Sequence, residues 1–111
     1  MNIPPIQQHD FTILLVDDRP ENLLSLEEIL LKPGRQFLKA SSGNEALKQV
    51  LKHDHIGLIM LDVQMPEMDG LQLTQQIRQR FPAMTARMPI LALTANTNPV
   101  DRQRCLDAGM D

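Results

Sequence analysis

Residues 12–18 read TILLVDD, an apolar run that ends on two adjacent aspartates. Because no polar residue interrupts Ile13 to Val16, both faces of this strand should be covered, as in a parallel sheet flanked by helices. A second apolar run, LIML at residues 58–61, ends on Asp62 in the same way. The three aspartates therefore stand where two predicted strands end.

Short apolar runs alternate with helical patterns along the rest of the chain. Pro20 falls in the first turn of a predicted helix, where its missing N–H is harmless, and Pro33 and Gly34 end that helix. Its predicted apolar stripe consists of Leu23, Leu24, Leu26, Leu30 and Leu31. Ser42 and Glu45 have the spacing of a capping box at the start of the next helix. The pattern predicts strands at residues 12–16, 36–40, 58–61 and 89–93, followed in turn by helices at about 20–32, 43–51, 71–80 and 99–108.

This alternation of strands and helices predicts an α/β fold, a doubly wound parallel sheet with right-handed crossovers. In such sheets ligands bind at the carboxyl ends of the strands, where the direction of winding reverses. If the first and third strands are neighbours there, Asp17, Asp18 and Asp62 converge and form a carboxylate pocket.

Three clustered carboxylates repel one another unless a positive charge lies among them. A cluster of oxygen ligands suits a hard divalent cation, Mg²⁺ before Zn²⁺. A single aspartate after a strand is also common in turns and as a helix N-cap, so the hypothesis depends on all three residues together.

The composition limits the class of protein. A length of 111 residues with 42% hydrophobic content fits one domain with a real core. The net charge of -3 gives no basic surface for a phosphate backbone, and the aromatic residues, 3 Phe, offer no platform for base stacking, so no nucleic acid is expected for this segment. One cysteine, Cys105, excludes an internal disulfide and agrees with a reducing compartment.

The N-terminal residues 1–10 are polar and contain Pro4 and Pro5, so they are interpreted as a tail or linker that leads into a domain at residues 11–111. No apolar stretch approaches the length of a membrane span, and the N-terminus lacks the regions of a signal peptide. We therefore expect a cytoplasmic segment without membrane contact.

Four motifs follow one another in a characteristic order: VDD at residues 16–18, LDVQMPEMDG at 61–70, ALTA at 92–95 and AGMD at 108–111. Together they resemble the receiver domain of the response regulator family of two-component signalling, from about residue 12 to residue 111. The resemblance implies a flavodoxin-like receiver fold with strand order 2-1-3-4.

The resemblance also implies a role for each acidic residue. Asp62 matches the phosphoacceptor, a carboxylate nucleophile that takes a phosphoryl group from a phosphohistidine and forms an acyl phosphate. Asp18 and Asp62 match the direct carboxylate ligands of Mg²⁺. Gln64 matches the residue whose backbone carbonyl binds the metal, and Asp17 matches a ligand that acts through water.

Further positions match family residues around the phosphoryl group. Thr94 matches the switch residue, whose hydroxyl bonds a phosphoryl oxygen and moves towards it. Backbone N–H groups of Val63, Gln64 and Ala95 are expected to donate to phosphoryl oxygens, as loop amides often do. The side chains of Gln64 and Asn96 match positions that tune hydrolysis of the acyl phosphate.

The implied partner is a histidine kinase or a histidine phosphotransfer domain. The segments DDRPEN at residues 17–22 and LTAN at residues 93–96 are similar to receivers attached to hybrid sensor histidine kinases. The chain itself is then expected to be no enzyme but a phosphoacceptor that assists its own phosphorylation and dephosphorylation.

A family receiver continues beyond the motif at residues 108–111 into a fifth strand, which carries an aromatic residue and a lysine, and a fifth helix. We therefore expect a receiver that lacks its usual fifth strand and fifth helix, truncated at its C-terminal end. The lysine pairs with the phosphoryl group in the family, so phosphorylation should be less efficient without it. An exposed strand edge also favours a homo-oligomer through that edge.

Two alternatives belong to other functional classes. A pseudo-receiver would bind partners without phosphorylation, but such modules usually lose an acidic ligand or the acceptor, and all three aspartates are present here. An aspartyl-phosphate phosphatase of the haloacid dehalogenase type also uses a strand-end aspartate with Mg²⁺. That family carries D-x-D after its first strand, whereas Asp17 and Asp18 are adjacent.

Overall fold

The computed structural model describes residues 11–53, 55–63, 69–80, 88–93 and 99–111. Strands and helices alternate through these ranges, and every predicted element is present with ends that shift by one or two residues. The strands are β1 (Phe11–Val16), β2 (Arg35–Ala40), β3 (Ile56–Asp62) and β4 (Ile90–Leu93). The helices are α1 (Pro20–Leu30), α2 (Gly43–Lys52), α3 (Gly70–Arg80) and α4 (Pro99–Asp107).

The four strands form one parallel sheet in the order β2-β1-β3-β4, which confirms the predicted order. β1 lies inside the sheet, and Val16 near its end is paired with Ala40 of β2 and Leu61 of β3. β2 lies at an edge of the sheet, a position that tolerates a charged residue such as Lys39. The Lys39 side chain forms an ion pair with Glu27 of α1.

The pairing of β1 with β3 contains a bulge near its start. Thr12 is paired with Ile56, but Ile13 is paired with Leu58, so Gly57 is the extra residue. The Phe11 ring lies over this glycine, and a Cβ at Gly57 would stand only 2.4 Å from the ring. The bulge breaks the usual alternation, because Ile56 and Leu58 pack against opposite faces of the sheet.

Each face of the sheet has its own hydrophobic core. Leu14 and Val16 of β1 point into the larger cluster, which α2, α3 and part of α4 cover with side chains that include Val50, Ile77 and Cys105. Ile13 and Leu15 point to the opposite face, where α1 packs. Helices therefore cover both faces of β1, as its unbroken apolar sequence predicted.

α1 packs through a narrower stripe than its sequence suggested. Leu23 is buried against the smaller cluster, and Leu26 and Leu30 pack partly buried beside it. Leu24 and Leu31, which the apolar pattern placed on the same stripe, are 55% and 63% exposed. None of the helices in the described part of the chain has the length and apolar character that crossing a bilayer requires.

Two helix ends are capped by specific hydrogen bonds, one of them at the Ser42 and Glu45 pair that the sequence predicted. The Ser42 hydroxyl accepts the backbone N–H of Glu45 at 3.1 Å, and the Glu45 carboxylate accepts the backbone N–H of Ser41 at 3.1 Å. At the end of α4, Gly109 has a φ of 106°. The N–H groups of Gly109 and Met110 return to the carbonyls of Leu106 and Cys105, which closes the helix in a Schellman motif.

Arg78 near the end of α3 joins three segments of the chain. Its guanidinium donates to the carbonyl oxygens of Met88 at 2.9 Å and Gly109 at 3.1 Å, and to the Asp111 carboxylate at 2.9 Å. The same carboxylate oxygen accepts the backbone N–H of Ile90 at 2.9 Å. We call this group, Arg78 with its partners at Met88, Ile90, Gly109 and Asp111, the Arg78 clasp.

Candidate functional site

The candidate site lies at the carboxyl ends of β1 and β3. Asp17 and Asp18 directly follow Val16, and Asp62 is the last residue of β3, next to Leu61. Since Val16 and Leu61 are paired in parallel strands, the chain delivers the three aspartates to the same edge of the sheet. This is the convergence that the sequence predicted on the condition that the two strands were neighbours.

The three carboxylates meet closely. One carboxylate oxygen from each of Asp17, Asp18 and Asp62 lies within 4.8 Å of the other two. Asp17 is 4% exposed, whereas the other two aspartates are more open to solvent. The cluster therefore has a buried inner wall at Asp17 and an open side from which a ligand can approach.

The Asp17 side chain is held at both of its oxygens. Oδ1 accepts the backbone N–H of Arg19 at 2.9 Å, and Oδ2 accepts the side-chain amide of Asn22 at 3.1 Å. The Asp17 backbone is held as well, because its N–H donates to the carbonyl of Ala40 on β2 at 3.1 Å. These contacts fix one member of the cluster before any ligand arrives.

Gly70, the first residue of α3, lies against the end of β3. The Gly70 N–H donates to the carbonyl of Val63 at 2.9 Å, and the Asp69 carboxylate caps α3 by accepting the N–H of Gln72 at 2.9 Å. A Cβ at Gly70 would stand 2.7 Å from the Asp62 carbonyl oxygen. The lack of a side chain at Gly70 therefore permits close contact between the start of α3 and the end of β3.

Four predicted site residues lie outside the part of the chain that the structure describes: Gln64, Thr94, Ala95 and Asn96. Leu93, the residue before Thr94, is paired with Asp62 across β3 and β4. Val63 is described, directly after Asp62 and packed against the larger cluster.

The residues present fit a hard divalent cation. Their ligand atoms are all carboxylate oxygens. Hard cations such as Mg²⁺ and Ca²⁺ prefer oxygen ligands, whereas softer metals do not. Asp17 is already oriented by two N–H donors, while Asp18 and Asp62 bring further negative charge to the open side of the cluster. A cation bound there would relieve the mutual repulsion of the three carboxylates.

One residue of the site, Asn22, was not predicted from the sequence. Asn22 follows Pro20 in the first turn of α1, a place where an asparagine is usually a solvent-exposed surface residue. The sequence does show a helix turn directly after the strand-end aspartate, and such a turn can fold back over that aspartate. Only the structure shows that Asn22 is the residue of this turn whose side chain donates to Asp17.

Comparison with known families and sequences gives consistent matches. The family model described as "Response regulator receiver domain" matches residues 13–111. The sensor histidine kinase RcsC of Escherichia coli K12 is 43% identical over 102 residues, which cover 92% of this chain and 10% of RcsC. The sensor protein GacS of Pseudomonas syringae is 35% identical over 109 residues, 97% of this chain and 12% of GacS. The chain thus spans only about a tenth of these relatives.

A solved structure with the same fold is the chemotaxis response regulator CheY4 of Vibrio cholerae. It superposes with a TM-score of 0.83 at 29% identity, over 91% of this chain and 82% of CheY4. The strand order and the alternation of helices are thus shared with a known protein of this architecture.

Proposed function

Since this chain belongs to the response regulator receiver domain family, we propose that Asp62 accepts a phosphoryl group in histidine-to-aspartate phosphorelay signalling. In this proposal, residues 11–111 form the receiver and residues 1–10 are the segment that leads into it. The chain acts as a phosphoacceptor that assists its own phosphorylation and dephosphorylation.

The observation that carries the proposal is the convergence of three carboxylates within 4.8 Å at the ends of two neighbouring strands. We take Asp62 as the acceptor because it matches the phosphoacceptor of the family motif at residues 61–70. Asp17 fits that role less well, because it is buried and both of its oxygens accept hydrogen bonds. Asp62 ends β3 in a less buried part of the cluster.

The transfer itself exchanges one bond for another. A carboxylate oxygen of Asp62 forms the new O–P bond while the P–N bond to the donor histidine breaks. The imidazole nitrogen keeps the bonding electron pair and takes up a proton from solvent. The product is an acyl phosphate on Asp62, and the donor histidine is returned in its neutral form.

The chain's own residues position this exchange. Asp18 and Asp62 would hold Mg²⁺ directly, Gln64 through its backbone carbonyl, and Asp17 through water. When bound, the cation neutralises charge on the nucleophile and on the phosphoryl oxygens. Without that charge the three carboxylates would repel an incoming phosphoryl anion.

We assign the remaining roles by residue type and position. Thr94 directly follows the end of β4 and would bond the phosphoryl group with its hydroxyl, as the switch that reports phosphorylation. Backbone N–H groups of Val63, Gln64 and Ala95 would donate to phosphoryl oxygens. The side chains of Gln64 and Asn96 would set how fast water hydrolyses the acyl phosphate.

The phosphoryl donor in this proposal is a histidine kinase or a histidine phosphotransfer domain. The support comes from the names of the relatives, since RcsC and GacS are a sensor histidine kinase and a sensor protein much longer than this chain. A receiver attached to a hybrid sensor kinase is the setting that fits these relatives.

Incubation with acetyl phosphate and Mg²⁺, followed by intact-mass analysis, tests the assignment. We expect the protein to gain the mass of one phosphoryl group and Asp62→Asn to gain none, because an amide is not a carboxylate nucleophile. Omission of Mg²⁺ should reduce the gain in the parent protein.

Asp107→Asn is the matched control, because it makes the same chemical change at the last, exposed residue of α4. This variant should be phosphorylated like the parent. A phosphoryl group that still appears on the Asp62→Asn protein would show that another residue is the acceptor.

A further inference from the structure

We propose that Asn22 is a positioning residue, which holds the Asp17 carboxylate in one orientation and thereby makes the site prefer Mg²⁺ to Ca²⁺. The inference rests on the proposed function, because it assumes that Asp17, Asp18 and Asp62 hold a divalent cation. It adds a residue from α1 to a site otherwise built at the ends of the strands.

The contact is a side-chain hydrogen bond to a buried group. The Asn22 Nδ2 donates to Asp17 Oδ2 at 3.1 Å, and Asp17 is 4% exposed. The other oxygen, Oδ1, accepts the Arg19 N–H at 2.9 Å. With one donor on each oxygen, rotation of the carboxylate about its Cβ–Cγ bond would break both hydrogen bonds.

Asn22 is itself well placed to act as a fixed donor. Its backbone N–H donates to the carbonyl of Arg19 at 3.1 Å, and Pro20, two residues before it in the same turn, has a restricted φ. The N-cap and the first turn of α1 therefore place both donors, the Arg19 N–H and the Asn22 amide, over Asp17. Asn22 is exposed to solvent, and the hydrogen bond to Asp17 Oδ2 gives its amide a defined direction.

The hydrogen bonds leave Asp17 able to face the cation. A carboxylate has about four lone-pair sites, and the two donors occupy two of them. One lone pair on each oxygen therefore remains for the cation or for a water molecule bound to it. A fixed outer ligand of this kind orients the bound water and limits the geometries that the site can adopt.

Fixed geometry affects the two cations differently. Mg²⁺ requires near-octahedral ligands at about 2.0–2.1 Å, whereas Ca²⁺ accepts six to eight ligands at about 2.3–2.6 Å in flexible arrangements. Loss of the Asn22 amide should therefore weaken Mg²⁺ binding more than Ca²⁺ binding. A change in total charge would instead move the two affinities in the same direction.

Isothermal titration calorimetry of the 111-residue chain with MgCl₂ and with CaCl₂ tests this inference. We expect Asn22→Ala to lower Mg²⁺ affinity about tenfold, at the lower end of what loss of an outer-shell partner causes. Ca²⁺ affinity should fall by less than about threefold, because its coordination is more tolerant. The ratio of the two affinities is the quantity that decides.

Asn22→Asp is the second variant, because it keeps the size of the side chain, removes the N–H donor and adds a negative charge. Because of the added charge, we do not expect the Mg²⁺ and Ca²⁺ affinities both to fall. The ratio of Mg²⁺ affinity to Ca²⁺ affinity should still be lower than in the parent. Asn44→Ala, an exposed asparagine in the first turn of α2, is the matched control and should leave both affinities unchanged.

The outcomes separate the two proposals. If Asn22→Ala and Asn22→Asp keep the parent's ratio of Mg²⁺ to Ca²⁺ affinity, the role of Asn22 is refuted while the receiver function stands. If those variants only lower the thermal unfolding temperature, Asn22 is a structural residue of α1 and the inference is also wrong. If the parent binds neither cation, the metal site of the proposed function fails as well.

Discussion

Gly70 is packed so closely against the end of β3 that an added methyl group has no room there. A Cβ would stand 2.6 Å from Leu61 Cδ1 and 2.7 Å from both the Asp62 carbonyl oxygen and Val63 Cα. Two of these three atoms belong to backbone and cannot rotate away. Relief of the contact must therefore move the segment that carries Asp62.

We predict that Gly70→Ala lowers the free energy of unfolding by about 1–3 kcal/mol, the usual range for overpacking of a well-packed site. Phosphorylation by acetyl phosphate should slow as well, because the Asp62 backbone is displaced. Urea denaturation and intact-mass time courses measure the two effects. Gly43→Ala, at the first residue of α2, is the control and should change stability by less than about 1 kcal/mol.

A Gly70→Ala protein with parental stability and phosphorylation would contradict the steric interpretation.

Single residues differ in how far the sequence reveals their role. The meeting of Asp17, Asp18 and Asp62 was predictable, because the adjacent pair and Asp62 each stand at the end of an apolar run. The contact requirement at Gly70 was not, because it depends on how α3 approaches β3 in space.

The Arg78 clasp joins three parts of the chain through hydrogen bonds: α3, the start of β4 and the segment after α4. Its guanidinium donates to two carbonyl oxygens and one carboxylate. The Arg78 side chain is only 22% exposed, so these donors are partly screened from water. A planar fork with several donors suits this arrangement better than an ammonium group.

We predict that Arg78→Met lowers the free energy of unfolding by about 2–3 kcal/mol, because hydrogen bonds to a charged group contribute about 1.5–3 kcal/mol and the carbonyls lose their donor. The free energy of unfolding of Arg78→Lys should lie between that of Arg78→Met and that of the parent, since lysine keeps the charge but lacks the planar set of guanidinium donors. Chemical denaturation measures both. Arg80→Met, exposed at the end of α3, is the control and should stay within about 0.5 kcal/mol.

Equal stability of Arg78→Met and Arg80→Met would mean that the clasp does not hold these elements together.

For the helices, the sequence predicted the position of each element along the chain more reliably than the residues that it contacts. The apolar pattern placed Leu24 and Leu31 on the buried stripe of α1. Leu24 is exposed because α1 meets the sheet along a line through Leu23, and Leu31 is exposed because the helix already ends at Leu30. Pattern alone does not contain the crossing angle that selects this line.

In the molecule as a whole, the two faces of the sheet are covered unequally. Within the described residues, α2, α3 and part of α4 contribute to the larger cluster, whereas α1 covers the smaller one. Leu14 and Leu15 are neighbours on β1, both 0% exposed, and they point to opposite faces. They form a matched pair for measuring how each core responds to a cavity.

We predict that Leu14→Ala costs about 4–5 kcal/mol of stability and Leu15→Ala about 2–3 kcal/mol, within the range for buried leucine. The transferred apolar surface is the same, but the single helix α1 can move into a cavity more easily than several helices packed on each other. Urea denaturation of both variants, with matched slopes, measures the difference. A Leu15→Ala cost equal to or above that of Leu14→Ala would refute this view of the two faces.

The bulge at Gly57 has a consequence at the opposite end of the strand. With Gly57 outside the pairing, Leu61 lies beside Val16, and the next residues on the two strands are both aspartates. If the pairing continued regularly from Thr12 and Ile56, Met60 would lie beside Val16. Asp62 would then lie one residue, about 3.3 Å, beyond Asp17 along the strand direction. One extra glycine at the start of β3 therefore sets the level at which Asp62 stands beside Asp17.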